Sequence, residues 1–433
     1  MTEGTQPRMA RGTKLTAALA AAALFALLAF APFASAAPDP VASGSATVTL
    51  KKSFTNYLKT FGIKVQKISP AKLKGQKATF TVTGGSMDPT TGAGTLTLGG
   101  GLKFKAGKKS ATVKALVIDT TKKSLTGKVS GKKVKLASLG GSSFTRSGFG
   151  VSLTVKKLKL TGAAAKQLNK KTGYAKGKPK PFLGNKLIAS SKGEEQPATV
   201  TLLPANNIVY DANVELLKKL KDVEVNIETI APTATKGPTT FEFPISGGNI
   251  APAATAGVVN SSGGVKLRQK LPLPEGKFIE TEITLANFWT DLSAHTVSVE
   301  VTAESNAESP AGSGKFPLKL GALGRSSIAN LSLTGATVVS DPVNRKVTVQ
   351  NASATLQPVA AEVLNGFVQV YKAYVEGGTY AAVFKKAKEE GATDEQADAA
   401  GKAAAKEAGE AVAKNEIKEN DPLGNFSFTA QTQ

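Results

Sequence analysis

Short runs of alternating apolar and polar residues, cut by glycine pairs and triplets, dominate the first part of this chain. "KATFTVTGG" (77–85), "GTLTLGGGLKFKAG" (94–107), "ATVKALVID" (111–119) and "VSLTVKKLKL" (151–160) largely place apolar side chains on every second residue. A period of two marks a strand with one face in a core and the other in water. Turn signals at intervals of about 8–12 residues between such runs favour a sandwich or barrel. With 433 residues, 41% of them hydrophobic, the chain can bury more than one core, so two or three domains are expected.

The first residues read as an export signal. Arg8, Arg11 and Lys14 form a basic start, Leu15 to Phe33 is apolar and alanine-rich, and "ASA" at 34–36 is a small-residue cleavage pattern. Cleavage is expected near Ala36–Ala37, leaving a secreted or cell-envelope protein. The absence of cysteine rules out a disulfide framework and a thiolate metal site, and suits a bacterial envelope. No later stretch has the roughly 18 consecutive apolar residues of a membrane span, so no transmembrane span is expected after cleavage.

A diverged repeat runs through the remainder. "ATVTL" stands at 46–50 and 198–202, "FTVTGG" (80–85) matches "FEFPISGG" (241–248), and Gly101–Leu102 falls in step with Gly264–Val265. Later, "LTGAAAKQLN" (160–169) resembles "LQPVAAEVLN" (356–365). Between the copies, "YAKGKPKPFLGN" reads as linker. From about 360 to 420 the chain is rich in Ala, Glu and Lys and strongly helix-forming. Gly391 separates two helices there, and "TDEQ" at Thr393 has the form of a capping box.

The fold class that follows is mainly β: two tandem β-sandwich-like modules, each with a short helix, plus the helical segment near the C-terminus. The expected divisions are a signal peptide over 1–36, a first module over 37–175, a linker over 176–197 and a second module over 198–433. The second module carries its helical insertion at about 360–420 and a last strand at 425–432.

The residue inventory points away from enzymes. Acid–base catalysis needs a positioned histidine or a carboxylate pair. The stretch 37–190 has no histidine and only Asp39, Asp88 and Asp119. His295, the one histidine, lies in "FWTDLSAHTVSVE" near Asp291 and reads as a packed or surface residue. "AGKKS" (106–110) lacks the earlier glycine and the strand–loop–helix frame of a phosphate loop.

Charge is divided unevenly. Residues 37–190 hold 30 basic against 3 acidic residues, +27, whereas 191–433 hold 22 against 28, −6. A module this basic attracts polyanions, which outside a cell are anionic wall polymers, lipid headgroups or acidic polysaccharides. Aromatics are not interleaved with the lysines as a base-stacking platform requires, so no nucleic acid is expected. The alternative is a solvated surface on which lysines guard strand edges against aggregation.

One stretch departs from the strand pattern. "KKSFTNYLKTFG" (51–62) sets Phe54, Tyr57, Leu58 and Phe61 at i, i+3, i+4 and i+7, the stripe of an amphipathic helix, with Gly62 at its end. By spacing alone, Tyr57 packs toward a core. The order Ser-Phe-x-x-Tyr, a strand ending in Gly-Gly, "GGLKF" and a late "LTGAAA" helix resembles the HtaA domain family. These are haem-transport-associated modules of actinobacterial cell envelopes. The resemblance covers most of 46–170 and, more faintly, 198–430. It implies a β-sandwich-like fold with an N-terminal helix and haem as cofactor. Tyr57 would then be the iron ligand and Ser53 would lie beside it at the haem edge. Where haem-binding members carry a histidine, this chain reads "LKFKAGKKSAT", with Gly107 or Lys108 at that place. Lys108 would there steady a tyrosinate or meet a propionate. Envelope haem-uptake proteins are the implied partners, with binding of anionic wall polymers through the lysine face as the other reading. The second module has no Ser-Phe-x-x-Tyr, and Tyr210 carries no role over.

Overall fold

The computed structural model describes residues 38–177, 179–306 and 321–433; the expected signal peptide lies outside them. Two antiparallel sheets hold nearly all the strands, as the alternation predicts, and each closes on itself. In the first, pairing runs through 94–106, 109–119, 124–129, 132–147, 150–160, 187–197, 39–50 and 77–87, and returns to 94–106 through Met87 opposite Gly94. Strands Ile63–Ile68 and Lys72–Lys74 pair onto this ring from outside it. The second sheet runs through 240–250, 257–261, 278–291, 296–305, 321–332, 346–356, 422–431 and 207–212, and back to 240–250. The mainly-β, two-module expectation holds, and both modules are barrel-like. Closure leaves each ring without a free edge, and the inward-facing half of each strand fills the interior.

Matching glycines mark matching bends. Gly85 and Gly248 have φ of 127° and 128°. A Cβ on either would lie 2.0 Å from Thr95 O or 2.1 Å from Val258 O, so only glycine fits where the neighbouring strand crosses.

Five helices accompany the barrels among the described residues: α1 (Lys52–Thr60), α2 (Gly162–Thr172), α3 (Val214–Asp222), α4 (Pro358–Glu389) and α5 (Asp394–Ala413). α1 and α3 each follow the strand that opens their module, and α2 and α4 each precede the strand that closes it. The capping box read at Thr393 is present: Gln396 N–H donates to the Thr393 hydroxyl and Thr393 N–H to the Gln396 side chain. Close packing of α4 on α5 rests on small residues. A Cβ on Gly401 or Gly409 would collide with Tyr380 or Glu376.

Two sequence readings need correction. Residues 187–197, read as linker, form a strand that pairs with both 39–50 and 150–160 and completes the first barrel. After Leu187 and Ile188, "ASSKGEEQP" is polar or small on both faces, so it carries little apolar signal. The second "ATVTL" (198–202) is also not the counterpart of the first. The place of 39–50 is taken by Asn207–Ala212, whereas 200–201 only brackets the end of strand 240–250.

The barrels meet through the hairpin tip between strands 132–147 and 150–160. Phe149 is buried in the core of the second barrel, and Arg146 donates to the main-chain oxygen of Gln433. Asp39 accepts from the main-chain N–H and hydroxyl of Thr201 at 3.1 and 3.0 Å.

Candidate ligand site at the first helix

α1 forms as its apolar spacing dictates. Leu58 is fully buried, Phe54 and Phe61 are half-buried against the first core, and Gly62 ends the helix at φ 64°. The charged residues of the helix face water, as an amphipathic stripe requires.

Tyr57 lies at the border of that stripe and is half-buried. Its hydroxyl donates to the main-chain carbonyl of Lys180 at 3.1 Å. Its ring meets Phe61 edge-on at 5.2 Å, and Phe61 in turn meets Tyr174 at 5.5 Å. Tyr174 returns a hydrogen bond to Phe61 O at 2.8 Å. Both Lys180 and Tyr174 belong to a strap, residues 173–177 and 179–186, that leads from α2 into the closing strand. The strap is anchored by Phe182, which is 1% exposed and packs between Phe54 at 6.4 Å and Phe104 at 5.3 Å. Asn169 on α2 clamps Phe182 from behind, donating to its carbonyl at 2.8 Å and accepting from its N–H at 3.1 Å.

Ser53 is exposed one turn before Tyr57, and Lys108 is exposed in the turn after strand 94–106. Pairing of Ile63 with Ala106 sets that turn beside the C-terminal end of α1. Neither side chain makes a hydrogen bond or ion pair among the described residues. Ser53 and Tyr57 therefore share a helix, Lys108 lies at the helix's far end, and the aromatic cluster between them is covered by the strap. The barrel interior beneath holds a wholly apolar cavity of about 80 Å³, well below the roughly 300–1,000 Å³ of a site enclosing a drug-sized ligand. A large planar ligand on the α1 face would have to displace Phe182, which fills the space between Phe54 and Phe104.

The donor set on that face suits haem in its chemistry: one phenol able to serve as an anionic oxygen ligand, aromatic faces beside it, and lysines at the margin. It lacks an imidazole, and the phenol is tied to the strap. Sequence reading missed Phe182 and Asn169, which anchor the strap that carries the Lys180 carbonyl bonded to Tyr57. The signal for Asn169 was available, because the repeat pairs it with Asn365. There the Asn365 side chain clamps Ile417 in the same two-way fashion.

Tyr210 is elsewhere. It lies inside the second barrel, stacked on Phe426 at 4.8 Å and donating to Leu423 O at 2.7 Å, and burial pushes its phenol well above the ordinary range. His295 is exposed in a turn at φ 56°, and the neighbouring Asp291 accepts the N–H groups of Ser293 and Ala294, both at 2.8 Å. Among the described residues no group of three or more His, Cys, Asp or Glu could hold a metal ion, and no helix is long and apolar enough to cross a membrane.

No family model matches the chain, and no curated protein matches it. Among solved structures, the C-terminal domain of HtaA from Corynebacterium glutamicum is similar, at 15% identity and a TM-score of 0.30. The match covers 36% of this chain and 98% of that one. A domain-swapped dimer of a point variant of the same domain is similar at 14% identity and a TM-score of 0.26, covering 33% and 90%.

Proposed function

We propose that the chain is a non-enzymatic, exported envelope protein that binds or relays haem through the α1 face of its first barrel, in concert with envelope haem-uptake proteins. The observation that supports this reading is the state of Tyr57. It is a phenol at the rim of an aromatic cluster, held by one hydrogen bond to a main-chain carbonyl of a Lys-, Gly- and Pro-rich strap. Displacing the strap frees the phenol and uncovers Phe54, Phe61 and Phe104 together. Haem bound there would supply an iron for the Tyr57 oxygen, with Ser53 near its edge and Lys108 available to a propionate or to the tyrosinate.

Hemin titration of the full chain tests this. The expected result is a Soret shift that disappears in Tyr57→Phe. A flat titration of the native chain, or an unchanged shift in the variant, overturns the reading.

A further inference from the structure

The outer wall of the first barrel carries a second concave surface, away from the α1 aromatics. On strand 39–50 the even positions Ala46, Val48 and Leu50 are buried, so Ser45, Thr47 and Thr49 face outward. The register aligns Thr79, Thr47, Lys192 and Thr154 in one row across four strands, and Lys77, Thr49 and Ser190 in the next. The hydroxyl side chains of Thr47, Thr49, Thr154 and Ser190 floor a basin of about 580 Å³, with one carboxylate, Glu194, on its lining. Lys51, Lys77, Lys156 and Lys192 rim it.

The lysines are poorly compensated. Lys51, Lys77 and Lys156 make no side-chain hydrogen bond or ion pair among the described residues. Lys192 has an exposed contact with Glu194 at 3.3 Å, a kind of pair that contributes little. The module's other carboxylates are committed elsewhere. Asp39 and Glu195 are each 3% exposed at the barrel junction, Asp88 holds its own loop through Thr90 and Thr91, and Asp119 pairs with Lys122. Over 38–197 the count is 31 basic against 5 acidic residues, so positive charge outweighs the single carboxylate of Glu194 at the basin.

We infer that this basin is a binding site for a linear polymer of repeating phosphate groups. Ammonium groups at the rim act as point charges for phosphate, and hydroxyls of the floor donate to its remaining oxygens. No aromatic side chain lines the basin, so nucleic-acid bases would find nothing to stack on. The ligand is therefore a phosphate chain without bases. The site is independent of Tyr57.

The test is titration of the full chain with inorganic polyphosphate between 50 and 300 mM salt. Two quadruple variants of equal charge change are compared. One is Lys51→Gln, Lys77→Gln, Lys156→Gln and Lys192→Gln. The other is Lys123→Gln, Lys128→Gln, Lys132→Gln and Lys133→Gln, on or beside the strands at the opposite side of the ring. Removing four phosphate contacts should lower the slope of log K against log salt by about 3, with at least about tenfold weaker binding at low salt. The second variant should keep most of both. Equal losses in the two variants would mean diffuse attraction and overturn the site. So would the absence of binding by the native chain, or tighter binding of single-stranded DNA or an oligogalacturonate than of polyphosphate. Hemin titration of the triple variant Lys77→Gln, Lys156→Gln and Lys192→Gln, which leaves Lys51 at the start of α1 in place, should be unchanged, so failure here is distinguishable from failure at Tyr57.

Discussion

The two barrels fasten the same helix to the same strap by different chemistry. In the first, Tyr57 on α1 donates to the carbonyl of Lys180, ahead of the closing strand. In the second, Lys219 on α3 occupies the equivalent place, 57 and 219 each being six residues after the residue that precedes its helix. Lys219 donates to Glu416 O at 2.8 Å and pairs with Asp421 at 2.9 Å, again ahead of the closing strand. What the fold demands at this position is therefore a tie and not a tyrosine. A neutral phenol that can leave its partner without exposing a charge is the form found in the basic barrel. The other barrel, with 21 basic against 26 acidic residues over 198–433, uses a closed ion pair.

The clamp beneath the tie is common to both, and breaking it should produce the largest effect. Asn169 and Asn365 each satisfy an N–H and a carbonyl of a buried strap residue, Phe182 or Ile417, both 1% exposed. Removing either side chain leaves two buried backbone groups unpaired, at about 1–3 kcal/mol each. Asn169→Ala and Asn365→Ala should therefore each cost about 4 kcal/mol in chemical denaturation. Near-equal losses sharpen the equivalence of the two straps. A loss confined to one variant breaks it.

Much of this architecture was legible in the sequence, because strands with one wet face and one dry face write their period openly. The aromatic stripe of α1, the glycine bends and the capping box at Thr393 were legible for the same local reason. The strand 187–197 was not. After Leu187 and Ile188 its outward and inward positions are both polar or small, and pairing on both sides, rather than hydrophobicity, makes it a strand. The basin was illegible too, since Lys77, Lys156 and Lys192 come from three separated strands, Lys51 from the junction of a fourth with α1, and they meet only through register. The strap over Tyr57 looked like linker because a Lys-, Gly- and Pro-rich run carries no periodicity, and Phe182 is a single apolar residue within it.

The junction supplies a contrast between the barrels that depends on pH. Burial pushes the Glu195 carboxyl up to about 7. A hydrogen bond from Val151 N–H opposes this, the charge of Asp39 adds to it, and Arg146 opposes it. Asp39 is raised as well, chiefly by burial. A carboxyl with a folded value near 7 and an ordinary value of 4.5 keeps its proton in the folded chain alone between those limits. Its contribution therefore makes stability fall as pH rises through that window and level off above it. Glu195→Gln should leave the thermal midpoint nearly unchanged at pH 4.5 and raise it at pH 8, by up to about 3 kcal/mol of stability. A variant that tracks the native chain at both pH values would show that the buried carboxyl does not titrate in this window.

The smallest effects decide the most about function. Tyr57→Phe keeps the ring against Phe61 and gives up one hydrogen bond to a half-buried carbonyl, a loss of about 1 kcal/mol. Lys219→Met should lose a similar amount, about 1 kcal/mol, because its ion pair is only part-buried. Salt separates the two ties. The deficit of Lys219→Met should shrink toward 1 M salt as the ion pair is screened, whereas that of Tyr57→Phe should stay constant. Because the phenylalanine variant remains folded and its strap stays anchored by Phe182, a lost Soret shift in it reports the missing phenol oxygen rather than a collapsed site. A deficit well above about 1 kcal/mol in Tyr57→Phe would instead make the tyrosine a structural fastening and remove the reason to expect it to let go of the strap.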